Sequence, residues 1–221
     1  MIIAVDGPGG SGKSTVSRKL AQRLGCLHLD TGAFYRAATL AVLRAGVALG
    51  VDDEVAAAVK VRTFIQEDGR MYLDGEDVSV GIRSPEVTAS VSAVAALPEV
   101  RRFMVSHQRA WVAQHGRDVV VEGRDIGTVV FPEADLKIWL SASAEERARR
   151  RALQTGEDPA VVIRELDRRD RADSGRKVSP LTPAEDAIHL DTTGMTVDEV
   201  VDRITALIDQ SRPSKKTLPR Q

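Results

Sequence analysis

Between Ile2 and Leu20 the chain reads "IIAVDGPGGSGKSTVSRKL", and within it Gly7, four residues, Gly12, Lys13 and Ser14 fit the pattern G-x-x-x-x-G-K-[ST]. With Gly near 7% of average usage, the pattern arises by accident in roughly one chain of this size in a hundred. Its surroundings narrow the reading. "IIAV" is a short run rich in β-branched residues, suited to a buried parallel strand. Downstream, Val16, Leu20, Ala21 and Leu24 recur at helical spacing while Arg18, Lys19, Gln22 and Arg23 point elsewhere, and Gly25 supplies a stop. A helix starting near Lys13 aims free N–H groups and its positive dipole end at the loop, which favours an anion there. In such loops the backbone from Gly7 to Thr15 (Gly7, Pro8, Gly9, Gly10, Ser11, Gly12, Lys13, Ser14, Thr15) wraps phosphates. The lysine reaches the β and γ groups, and the hydroxyl, here Ser14, binds Mg²⁺. A glycine turn that only connects strand to helix would leave the pairing of Lys13 with Ser14 unexplained.

Bulk numbers exclude several classes. A chain of 221 residues supports one good core with room for a small insert. Against 31 basic residues stand 32 acidic ones, a net charge of −1 that argues against a general nucleic-acid binder. The single cysteine, Cys26, excludes an internal disulfide and suits a reducing compartment, as a small apolar residue rather than a nucleophile. No basic n-region opens the chain and no run nears eighteen apolar residues, so a soluble cytoplasmic protein is expected, with no membrane partner.

Further apolar runs at Leu27 to Leu29, Val119 to Val121, Leu136 to Leu140 and Ala187 to Leu190 alternate with helical patterns. That alternation predicts an α/β fold: a parallel five-stranded sheet covered by helices on both faces, with ligands at the carboxyl ends of its strands. Ser143 with Glu146 and Thr196 with Glu199 read as capping boxes, and Asp158 before Pro159 as an N-cap. One stretch, "FIQEDGRMYLDGEDVS", carries two Asp-Gly turn signals and predicts an antiparallel insert of about three strands. It serves equally well as an exposed hairpin or as a flap over substrate. The tail 211–221, with two prolines and four basic residues, is expected to be disordered.

Three clusters could form the rest of a site. "LDTGAFYR" sets Thr31 at a strand end with Arg36 about one helical turn on, and "EGRDIG" places Glu122, Arg124 and Asp125 after another strand. Singly, a surface arginine or an Arg124–Asp125 pair explains each as well; together, beside a phosphate loop, they favour a cleft. From Glu145 to Arg176 the charges alternate densely, and most of these arginines read as a solvated helix face held by i,i+4 pairs such as Glu146 with Arg150. Arg169, Asp173 and Arg176 stand apart, spaced to share one face if the helix lasts that far. A basic segment able to fold over the loop also suits a lid.

The chain resembles the bacterial cytidylate kinases of the P-loop nucleoside monophosphate kinase group. The likeness spans roughly residues 1 to 210, treated as a single domain, and rests on "DGPGGSGKST", "DTGAFYR", "GEDVS" with "IR", "VSAVAALPEVR", "EGRDIGTVVFPEA" and "RRDRADSGRKVSPL". It implies phosphoryl transfer from ATP, with Mg²⁺, to CMP or dCMP in a monomer. Lys13, Arg36, Arg124 and Arg176 match the catalytic positions. Thr31, Arg36, Ser92, Arg101, Arg124, Asp125, Arg169, Asp173 and Arg176 match the acceptor-binding ones, with Ser92, Arg101 and Asp125 toward the base. A nucleotide-binding insert near 60–95 and a lid near 147–172 are implied as well. Thr31 stands where serine is common, and Glu122 where some members have aspartate. The carboxylate that orders the metal's waters stays open among Asp6, Asp30 and Glu122. Because the acceptor phosphate is mostly a dianion at neutral pH, no general base is required, and the histidines, including His28 and His107, read as scaffold or surface. Rival readings are a kinase for another small acceptor, such as a different nucleoside monophosphate or shikimate, and a nucleotide switch; the chain contains no asparagine and no T-K-x-D element, which weakens a guanine-reading switch.

Overall fold

The structure, a computed structural model, describes residues 1–116 and 118–211. Five parallel strands form the main sheet: β1 (Ile2–Asp6), β2 (Leu27–Asp30), β6 (Val119–Glu122), β7 (Leu136–Ser141) and β8 (Ile188–Asp191), in the order β2-β6-β1-β7-β8. All five apolar runs are strands, as their composition predicts. Their period of two splits the core between the sheet's faces. Ile3 and Val5 of β1 and Val120 of β6 pack with α1 (Lys13–Leu24) and α8 (Val197–Ser211). Ala4, Val119 and Val121 turn to the opposite side, against α2 (Thr31–Arg44), α3 (Asp52–Lys60), α4 (Pro85–Ala96) and α5 (Pro98–His115). Parallel strands buried on both faces need continuous apolar runs, and β6 is buried at all four positions.

Between β6 and β7 the chain crosses from one side of β1 to the other, which opens a crevice at the carboxyl ends of β1 and β6. Three short antiparallel strands, β3 (Phe64–Glu67), β4 (Arg70–Leu73) and β5 (Glu76–Asp77), make the insert. Both Asp-Gly turns have positive φ at each residue, 50° and 74° at Asp68-Gly69 and 51° and 84° at Asp74-Gly75, the twist that joins tight hairpins. Over the other end of the crevice lie α6 (Ala144–Thr155) and α7 (Pro159–Ser174), packed on each other through Ala148, Ala152, Val162 and Leu166.

Local signals fared unequally. Thr196 and Glu199 form a full reciprocal capping box, and Asp158 caps α7. Ser143 caps α6 through the Glu146 amide, but the Glu146 carboxylate turns to Arg149 and Arg150 instead of back to Ser143. Charge-assisted partners outcompete one neutral amide. The tail beyond Ser211 lies outside the described residues. No helix among the described residues is long and apolar enough to cross a membrane.

Candidate active site

The loop between β1 and α1 is shaped by what cannot fit beside it. Gly7 has φ +148°, and a Cβ there would stand 2.0 Å from the Leu140 carbonyl oxygen, so only glycine lets the loop leave β1 alongside β7. Lys13 opens α1; its Nζ donates to the Pro8 carbonyl (2.6 Å) and lies 3.4 Å from Ser11 Oγ. Burial, then the neighbouring Arg124, pushes the Lys13 ammonium well below its ordinary pKa. The loop's cation folds back on its own loop, and its hydrogen-bond partners are a carbonyl and a hydroxyl rather than a carboxylate.

Three carboxylates end the strands β1, β2 and β6 on this side of the sheet. Asp30 caps α2 by accepting from the Ala33 amide (3.0 Å). Asp6 accepts from the amides of Ile126 (2.9 Å) and Gly127 (2.8 Å). Glu122, the last residue of β6, accepts from the Ser14 hydroxyl (2.7 Å), while its backbone carbonyl accepts from the Thr31 hydroxyl (2.7 Å). The next residue, Gly123, has no room for a Cβ: Thr31 Oγ1 and Ile126 would lie 2.6 Å from it. Of the three, Glu122 is the carboxylate at the Ser14 side chain.

Asp6 carries a measurable consequence. Burial raises its pKa to about 6 even though two amide hydrogen bonds pull the other way. The folded state therefore binds a proton that an unfolded aspartate has lost near pH 4, and stability falls as pH rises from about 4 through about 6. The loss should be on the order of 3 kcal/mol. Urea midpoints for the natural chain and Asp6→Asn at pH 4 and pH 7 check it: the natural chain's relative stability should drop by this amount, and a pH-independent difference contradicts the assignment.

On the far side of the crevice the acceptor-matched residues converge. Arg101, in α5, pairs with Asp125, donates to the Ala95 carbonyl (3.1 Å) and lies 5.3 Å from the Tyr35 ring centroid, all within the protein interior. Arg124 donates through Nε to Asp173 (3.0 Å) and through a terminal nitrogen to the Gly7 carbonyl (3.0 Å), linking the loop to α7. Arg176 pairs with the other oxygen of Asp173. The shared helix face expected for Arg169, Asp173 and Arg176 is not how this happens: α7 ends at Ser174, and Arg176 returns from beyond the cap. Arg36 donates to the Ile82 carbonyl (3.1 Å) and Thr88 Oγ1 (2.9 Å), at the edge of the insert.

All these residues open on one cleft of about 1110 Å³, which Thr31, Ser92 and Arg169 line as well. Of the sequence-assigned positions, Gly7 and Pro8 lie behind its wall. Guanidiniums outnumber their partners here: Arg101, Arg124, Arg169 and Arg176 face Asp125 and Asp173. Burial leads the downward pKa shifts of Arg36 (to about 10), Arg169 and Arg176, and neighbouring arginines add to each. The Nε atoms of Arg169 and Arg176 are buried without a hydrogen-bond partner among the described residues. Crowded, desolvated cations with spare donors are stabilised by a polyanion.

Sequence reasoning missed three residues. Arg147 and Arg150, read as solvated, reach the phosphate loop: Arg147 donates to the Gly9 carbonyl (2.8 Å) and pairs with Asp170, whose other oxygen accepts from the Gly9 amide (3.0 Å). Arg150 donates to the Ser11 carbonyl (3.3 Å) and to both oxygens of Thr192 (2.9 and 2.6 Å). Their i,i+3 spacing, which puts both on one face of α6, was the available signal.

The cytidylate kinase family model matches residues 3–210. The chain belongs to the cytidylate kinase family. It is therefore a nucleoside monophosphate kinase, an ATP-dependent phosphotransferase. A cytidylate kinase of Nocardia farcinica is 53% identical over 95% of this chain and 94% of that protein. One from Desulfitobacterium hafniense is 49% identical over 94% of this chain and 92% of its own length. Among solved structures, an uncharacterized protein from Eubacterium ventriosum shares the fold with a TM-score of 0.56, at 15% identity over 95% of this chain and 98% of that one.

Proposed function

We propose that this cytidylate kinase family member transfers the γ-phosphoryl group of ATP to CMP or dCMP, giving ADP and CDP or dCDP, as a cytoplasmic monomer. The observation that carries the reading is the single cleft in which a phosphate loop faces an overpopulated cluster of buried arginines. Two anions must be brought in line against their mutual repulsion, and the reaction then demands charge stabilisation rather than a base. Lys13 exchanges the Pro8 carbonyl for the transferring group. Arg36, Arg124 and Arg176 grip the acceptor phosphate, Arg169 and Asp173 hold the ribose side, and Thr31 lines the floor. Ser92, Arg101 and Asp125 read the base: a carboxylate accepts from the cytosine 4-amino group, where uracil offers a carbonyl.

The donor set at Ser14 suits Mg²⁺, a hard cation that takes few protein oxygens and shares the rest of its shell with phosphates and water. Ser14 would hold it and Glu122 would order its waters. Bound there, the ion neutralises charge on the phosphates. Residues 147–172 serve as the lid: Arg147 and Arg150 already rest on the loop, and closure keeps water from the transferring group. The insert, residues 60–95, borders the acceptor side.

Coupled ADP release over CMP, dCMP, UMP, AMP, GMP and shikimate tests the proposal. Turnover is expected with CMP and dCMP and not without an acceptor. Preference for another acceptor, or ATP hydrolysis with none, overturns it.

A further inference from the structure

His28, set aside as scaffold in the sequence, touches the catalytic head of the loop at one remove. In β2, residues 28 and 30 share a face, and Asp30 stands opposite Glu122 in the sheet register. The Glu122 side chain reaches diagonally, so its Oε1 lies 3.0 Å from His28 Nε2 while Oε2 accepts from Ser14. A carboxylate accepting at both oxygens needs a donor at each, which places the His28 proton on Nε2. The backbone that carries the imidazole is itself braced. Gln66 of the insert is buried, donates to the His28 carbonyl (2.9 Å) and accepts from the Asp30 amide (3.0 Å), holding this end of β2.

We propose that His28 is a positioning residue for phosphoryl transfer: its Nε2–H pins one oxygen of Glu122, so that the other holds the proton of the Ser14 hydroxyl. This rests on the kinase reading of the site. A serine hydroxyl offers lone pairs to a cation only when its hydrogen points elsewhere, and Glu122 is where it points. Glu122 has three rotatable bonds, and without His28 its carboxylate loses the anchor that fixes Oε2 toward α1. Asp30 adds to the need, since the two carboxylates are neighbours that repel, and His28 and Arg83 are the side chains that offset this at Asp30. The arm runs from the insert through β2 to the loop, and every link in it is a hydrogen bond of 2.7 to 3.0 Å.

The test compares His28→Leu, which removes the donor at similar size, with His28→Gln, whose amide nitrogen can take the place of Nε2. His28→Leu should lower kcat with CMP about tenfold with KM for CMP within about twofold, the range typical of residues that orient a metal's ligands. By calorimetric titration, the factor by which Mg²⁺ tightens ATP binding should fall by a similar amount, about tenfold. His28→Gln should recover most of both, and in a Glu122→Ala background His28→Leu should add nothing. If His28→Leu does not fold, His28→Asn, whose amide stops short of Glu122, carries the same expectation. The inference is overturned if the leucine variant keeps its turnover and its Mg²⁺ effect while the natural chain phosphorylates CMP, or if glutamine is as damaging as leucine. A natural chain inert toward CMP would instead defeat the kinase reading, and the Mg²⁺ titration would still judge His28.

Discussion

Replacing Arg124 by Ala should lower kcat with CMP by about 10²- to 10³-fold and leave the Kd for ATP within about threefold, the scale set by deleting one donor aimed at developing charge. Its position argues for this asymmetry. Arg124 bridges the Gly7 carbonyl and Asp173, so it stands between the loop that takes one nucleotide and the segment assigned to the other. Neither contact is with the amides that would cradle the ATP phosphates, so removing the side chain leaves that cradle intact. Asp173 keeps Arg176 as its ion partner, which limits the structural cost. A group that binds ground states equally would instead raise KM and spare kcat. Steady-state kinetics set beside direct ATP titration decide the matter: parallel losses in both quantities would remove Arg124 from the transfer step. Arg36→Ala should move in the same direction.

What the sequence reveals and what it hides follow from how local each interaction is. The sheet was legible because strands buried on two faces must be apolar throughout, and "VVV" or "IIAV" has few other uses. The phosphate loop was legible because its chemistry lies within eight consecutive residues. Arg147, Arg150 and Asp170 were not, because every one has an acceptable explanation within its own helix, and the contacts that give them a role come from the loop more than a hundred residues earlier. Glu146 with Arg150 is both things at once, an ordinary i,i+4 pair and part of a wedge against Ser11 and Thr192. Arg176 escaped the helical argument because its pairing with Asp173 depends on how the chain turns after Ser174, which side-chain periodicity does not record. His28 was hidden for a similar reason: a β2 residue meets Glu122 only through sheet order, and strand order is not written in any single strand.

Asp125→Asn tests the end of the cleft proposed to read the base, where stability and specificity would both depend on one carboxylate. Arg101 and Asp125 are both buried, 3% and 4% exposed, and each is the other's ion-pair partner in the structure. Removing the negative charge leaves a guanidinium out of water among neutral partners, the asparagine amide, the Ala95 carbonyl and the Tyr35 ring, in a region that already holds a surplus of arginines. Breaking a buried pair from one side costs about 3–5 kcal/mol, far more than losing an exposed pair, because the surviving charge is unsolvated. Asparagine keeps the shape, so the loss should show as a lower urea midpoint at unchanged slope. Specificity should shift in parallel. The carboxylate only accepts, which suits the cytosine amine and rejects the uracil carbonyl, whereas the asparagine amide can turn to donate or accept. The ratio of kcat/KM for UMP to that for CMP should therefore rise about 10- to 100-fold, the range in which one well-placed contact discriminates between bases. A variant that loses stability but keeps the natural ratio would make Asp125 a counter-ion for Arg101 alone, and base discrimination would have to come from elsewhere in the cleft. Adding CMP separates the two roles further: if the base binds at this carboxylate, CMP should stabilise the natural chain against urea more than it stabilises the variant, since a ligand protects the folded state in proportion to its affinity.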